Sequence, residues 1–151
     1  MMKELKGRYV IVELIPTHSN PKMGEIIQIQ ALRLDNLKLI ERFDYRLNKS
    51  LVNNPDLLQM TDYDNESFTY LDGGLLDAFK KWLGDDKLLI IDSDWAKEYL
   101  SDFPNKTSVF KYLNMEYSDD VIERMMAKYS LKPSSVIVDL IYEALLFELD
   151  I

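Results

Sequence analysis

Apolar and polar side chains alternate most cleanly over residues 25–34, EIIQIQALRL. Ile27, Ile29 and Ala31 fall on one face there, and Ile26, Gln28, Gln30 and Leu32 on the other. A period of two predicts a strand. A short run rich in Val, Ile and Tyr at residues 8–14 predicts a buried strand before it, and residues 38–47 a third strand after it. Asn20-Pro21 marks a turn between the first two. Asp35-Asn36 suits a tight hairpin between the second and third, although the glycine usual after it is missing. The three strands read as a meander.

A polar loop follows at residues 48–72, with a short helix expected near 56–60. Leu75, Leu76, Phe79, Trp82 and Leu83 then recur at helical spacing, with Asp72 as a candidate N-cap and Gly84 closing the helix. Residues 87–91 form a compact apolar strand, of the kind found in parallel sheets covered on both faces. A helix at 94–103, a short strand at 108–113 and helices at 118–129 and 134–149 complete the chain, with Pro133 suiting the entry to the last helix. The order βββαβαβαα predicts an α/β domain spanning 1–151: a mixed central sheet, with an antiparallel three-strand meander plus parallel strands, flanked by helices.

Composition narrows the chemistry. The chain has 151 residues and no cysteine, which excludes disulfides, thiolate metal sites and cysteine catalysis. No stretch approaches the roughly 20 apolar residues that span a bilayer, and the N-terminus lacks signal-peptide features, so a cytoplasmic location away from membranes is expected. The net charge of −8 and scattered lysines weigh against tight, non-specific nucleic-acid binding, though a local cleft can be positive on an acidic protein.

The stretch from Glu13 to Leu34, ELIPTHSNPKMGEIIQIQALRL, resembles the opening of the DEDD-type 3′→5′ exonucleases, which are proofreading-exonuclease-like and have a ribonuclease-H-like fold. Their pattern is D-x-E-T-T-G-L-x-P, a spacer, then D-E-I-I-E-I-G-A-V-R; Thr17, Pro21 and Gly24 to Leu34 match it. The helix ending in Leu83-Gly84-Asp85 before an apolar strand is similar to theirs. Trp95-Ala96-Lys97-Glu98-Tyr99-Leu100 stands where the family has F-D-x-x-F-L, and the last helix where it has H-x-x-x-x-D.

The resemblance implies a site of four carboxylates holding two Mg²⁺ or Mn²⁺ ions, one activating the attacking water and the other stabilising the leaving oxygen. Hard cations need oxygen ligands, so these acids do not tolerate apolar replacement. Carried over, the first Asp is Glu13, the second carboxylate is Ile15, the third is Ala96, the general base falls on Ser134, and the fourth carboxylate survives as Asp139. The resemblance thus implies a divergent member with no catalytic residues expected, in which Glu13 and Asp139 are remnants able to bind at most one metal weakly.

Other residues leave alternatives open. Asp139 can face the cleft or solvent. Asp94, with Asp92 beside it, can substitute for the lost third carboxylate or cap the helix beginning at Trp95. His18, the one histidine, occupies a turn and is expected to face solvent rather than act as a base. Pro16 removes a backbone donor near the same pocket. Tyr63, Phe68 and Tyr70 can stack on bases or pin their loop to the core.

Three functions are compatible with these residues. One is a catalytically inactive, exonuclease-like pseudoenzyme serving as a protein-interaction or nucleic-acid-related binding module, with no cofactor. Another is an active metal-dependent 3′→5′ exonuclease using Glu13, Asp139 and Asp94 with Mg²⁺ or Mn²⁺. The last is a relic without function.

Overall fold

The computed structural model describes residues 5–16, 26–46, 75–134 and 136–149. The expected turn at Asn20-Pro21, the helix near 56–60, His18, the aromatics Tyr63, Phe68 and Tyr70, and the Asp72 cap lie outside the described residues. The strands are β1 (Arg8–Pro16), β2 (Ile26–Asp35), β3 (Lys38–Arg46), β4 (Lys87–Ile90) and β5 (Lys106–Ser108). The helices are α1 (Leu75–Leu83), α2 (Asp94–Tyr99), α3 (Val121–Tyr129) and α4 (Ile137–Leu149). The strands form one five-stranded sheet in the order β3-β2-β1-β4-β5. β1, β2 and β3 pair antiparallel, whereas β4 runs parallel to β1 and β5 parallel to β4. The predicted mixed sheet is therefore present, with the meander and β4 where the sequence pattern puts them and β5 ahead of its expected place.

Alternation along β1 divides the molecule into two cores. Tyr9 and Ile11 pack with Leu32, Leu34 and the apolar faces of α3 and α4. Val10, Val12 and Leu14 pack on the opposite side with Ile29, Ala31, Phe43 and residues of α1 and α2. Ile26 departs from its expected face: it joins Ile29 in the second core, because the β1–β2 register shifts between Ile15 and Pro16. A one-residue slip sends a strand side chain to the other surface.

Asn36 and Leu37 both take positive φ, 50° and 70°, the backbone of a hairpin turn whose twist suits the flanking strands. Leucine thus stands where glycine is usual. The α4 residue Tyr142 braces it, donating its hydroxyl to the Leu37 carbonyl at 3.0 Å and accepting from the Leu39 N–H at 3.2 Å. Asn36 adds a second tie, its Oδ1 accepting from the Gly7 N–H at 2.8 Å.

Several expected elements change type or length, the last two helices beginning at Val121 and Ile137 rather than at 118 and 134. The strand expected at 108–113 is instead a 3₁₀ turn, Val109–Lys111, after the short β5. The Ser108 hydroxyl accepts from the Phe110 N–H at 3.3 Å, which favours the turn locally, and Val109 and Phe110 are buried in the first core from that conformation. α2 ends at Tyr99, short of the expected residue 103. Gly84, at φ 61°, follows α1 in the left-handed conformation expected of a helix-closing glycine.

Arg33 is the one cation buried among the described residues, on the α1 side of the sheet. Its guanidinium lies 2.6 Å from Glu41, its cross-strand partner, and 2.8 Å from Asp86. It also donates to the Trp82 carbonyl at the end of α1 and lies 4.0 Å from the Trp82 ring centroid. Pairing with carboxylates, a helix-end carbonyl and an aromatic face offsets the desolvation of a buried charge. The Arg33 hydrogen bond holds the Glu41 carboxyl below its usual range.

Candidate functional site

Glu13 has the same strand parity as Tyr9 and Ile11, so it faces the α3–α4 side of the sheet. Its register partner is Gln30, whose own partner on β3 is Asp44. Gln28 and Gln30 are buried beside it, and the Gln28 amide donates to Asp44 at 3.3 Å. A polar strip thus runs across this end of the sheet, while apolar residues fill the other end. Gln28 and Gln30, polar members of the 25–34 alternation, are interior residues, which the sequence pattern did not foretell.

A cavity of about 220 Å³ opens beside Glu13, past the carboxyl end of β4. In sheets with parallel strands this is the usual place for a ligand site. The cavity is mainly apolar, with Leu14, Ile91, Ala96, Val121 and Ile137 in its wall and Tyr117 and Asp119 among its polar members. Trp95 also lines it, and its indole N–H donates to the Leu14 carbonyl at 2.8 Å, which anchors the ring to the end of β1.

Glu13 keeps some exposure as a residue, yet its Oε2 is sealed from solvent and has no hydrogen-bond partner. Burial pushes its carboxyl up to about 7. Desolvation disfavours the charged form when no donor or cation compensates it. A carboxyl in such a state can hold a proton near neutral pH or accept a strong donor.

The other named positions divide around this cavity. Ala96 is in the wall and buried. Ile15, two residues beyond Glu13, is buried but does not line the cavity. Ser134 is exposed and accepts from the Val136 N–H at 3.1 Å, ahead of α4. Asp139 is also outside the cavity lining; its Oδ1 meets the Arg42 guanidinium of β3 at 2.8 Å. Asp94 is exposed as the first residue of α2. The cap of α2 is Ser93, whose side chain accepts from the Ala96 N–H at 3.2 Å, and the helix begins at Asp94 rather than at Trp95. Asp92 instead accepts from the Ser108 hydroxyl. The Tyr117 phenol is pushed up by burial first and then by the charges of Asp119, Asp94 and Asp92, of which Asp119 also lines the cavity.

Two hard divalent ions require a shell of oxygen ligands shared between them. Glu13 is the buried carboxylate of this wall, and the side chains around it are mostly hydrocarbon. The residues present do not fit the metal pair of the exonuclease pattern. Among the described residues, no cluster of three or more acids or histidines is arranged to hold a metal.

No protein-family model and no curated protein sequence matches the chain. Solved structures do match in fold. A crystal structure of SSB and exonuclease I with an inhibitor superposes with a TM-score of 0.66 at 9% identity, over 94% of this chain and 41% of that one. Escherichia coli exonuclease I in complex with an oligonucleotide gives 0.61 at 10% identity, over 95% and 41%. A complex of exonuclease I with the SSB C-terminus gives 0.59 at 13% identity, over 94% and 41%. The chain therefore spans about two fifths of the length of these proteins, and the likeness is one of fold. Its mixed five-stranded α/β architecture is an exonuclease-like one, of the ribonuclease-H-like kind.

Proposed function

We propose that this chain is an exonuclease-like domain without hydrolytic activity, serving as a binding or protein-interaction module. The observation that carries the reading is the wall around Glu13, in which Ala96, Ile91 and Ile137 stand beside a carboxylate that burial drives toward protonation. A two-metal hydrolase requires ionised oxygens from several directions. The surviving acid of the last helix, Asp139, is engaged with Arg42 instead. The net charge of −8 disfavours a polyanion as the main partner and supports a protein one. No described helix is long and apolar enough to cross a membrane.

A rearranged nuclease is the second reading, favoured by the gathering of Asp92, Asp94 and Asp119 near Tyr117. It requires Asp94 to join Glu13 and Asp139 around Mg²⁺ or Mn²⁺, an arrangement these three acids would have to reach by rearrangement, since they do not form it as they stand.

Calorimetric titration with Mn²⁺ and Mg²⁺, beside a gel assay on 3′-labelled single strands, separates the two. The module reading expects neither stoichiometric metal binding nor shortening of the strand. Metal-dependent cleavage lost in both Glu13→Gln and Asp139→Asn would overturn it.

A further inference from the structure

We propose that the Glu13 cavity is a receptor for a primary ammonium group carried on an apolar stem. This deepens the binding reading above and rests on it. A buried acceptor without a donor is costly, and Glu13 Oε2 is one of the few such atoms among the described residues. Glu13 lines the cavity, and once its side chain turns to expose Oε2, a ligand that brings N–H groups to this carboxyl removes that cost, a cationic donor making the stronger bond. The cavity, at about 220 Å³, exceeds the ~150 Å³ that accommodates benzene in an apolar protein interior.

The remaining wall fits the same ligand. Leu14, Ile91 and Ala96 offer hydrocarbon to a stem, and the anchored Trp95 and the half-exposed Tyr117 add aromatic surface, which favours cations. Asp119 lines the cavity, and Asp92 and Asp94 act on the neighbouring Tyr117. Their summed field draws a cation toward the mouth and repels phosphate. Charge, size and the unmet acceptor thus agree on one ligand chemistry, which a free amine and a partner's lysine side chain share.

The test is calorimetry on the full chain with phenethylamine, its neutral counterpart 2-phenylethanol, and Nα-acetyl-lysine methylamide. We expect the amine to bind about tenfold or more tightly than the alcohol, and Glu13→Gln to abolish that preference. Ala96→Leu should weaken all three by filling the cavity. Asp119→Asn, an exposed change that does not threaten folding, should reduce amine affinity while leaving the alcohol unchanged. Stronger binding of the lysine derivative assigns the ammonium to a protein partner, and the reverse order to a small molecule; both sustain the proposal. Equal binding of amine and alcohol, an amine preference that survives Glu13→Gln, or no binding at millimolar amine overturns it. Metal-dependent strand cleavage would instead overturn the module reading, so the two failures are distinguishable.

Discussion

Asp139 and Arg42 meet at 2.8 Å, joining α4 to β3 at the edge of the sheet. The pair is partly open to solvent, with side-chain exposures of 33% and 54%. Water and salt screen such a contact, and exposed pairs contribute about 0–1 kcal/mol. Asp139→Asn should therefore cost less than about 1 kcal/mol in urea denaturation. A loss several times larger would mean that the carboxylate has a second, buried role.

Glu13 makes stability depend on pH in an unusual direction. Its carboxyl titrates near 4.5 in the unfolded chain and near 7 in the folded one. Between those values the folded state holds a proton that the unfolded state has released, so stability falls as pH rises through this window. The penalty is absent below it and complete above it, at up to about 3 kcal/mol. Glu41 and Asp120, lowered by the Arg33 and Ser118 hydrogen bonds respectively, act in the opposite sense and below the ordinary carboxylate range. Glu13→Gln should thus be more stable than the parent at pH 8 and closer to it at pH 5. A stability difference that does not change with pH would remove this account.

Arg33 is 8% exposed and contacts two carboxylates, one carbonyl and one ring. Replacing it by Ala should cost about 3 kcal/mol, the scale for removing one partner of a buried ion pair. Arg33→Lys should recover part of this, since an ammonium retains the charge but cannot reproduce the fork. Equal losses for Ala and Lys in chemical denaturation would show that planar geometry, rather than charge, sets the contribution.

Tyr142→Phe removes a hydroxyl that serves two backbone groups of the hairpin, the Leu37 carbonyl and the Leu39 N–H. The expected cost is about 1–2 kcal/mol, with faster amide exchange at Leu39. Unchanged exchange there would mean that water takes over both bonds without loss.

Local rules carried the sheet. Alternation in residues 25–34, the turn at Asn36 and the glycine after α1 all describe features that neighbours in sequence decide. The failures are where distant residues decide. Val109 and Phe110 look like a strand, yet a 3₁₀ turn delivers them to the core beneath α3 and α4. Arg33 gave no sign of burial, because its partners Asp86 and Trp82 arrive from another part of the chain.

The candidate site shows the same division. Glu13 and Ala96 could be named from the resemblance, and the structure sets both at one cavity. The state of the Glu13 carboxyl was not legible, since it is created by burial beneath side chains from the segment after β4 and from α2, α3 and α4. Nor could the sequence foretell that Asp139 would pair with Arg42, because that contact depends on where α4 crosses the sheet.

Val10 and Ile11 are chain neighbours that belong to opposite cores. β1 is thus a shared wall: a helical layer cannot peel away without uncovering one side of the strand that the other layer also uses. Loosening of either face should spread to the whole sheet, so the domain melts in one step and the amides of Val10, Ile11 and Val12 exchange only when it does. The two helical layers are thus coupled through β1, the strand that also carries Glu13.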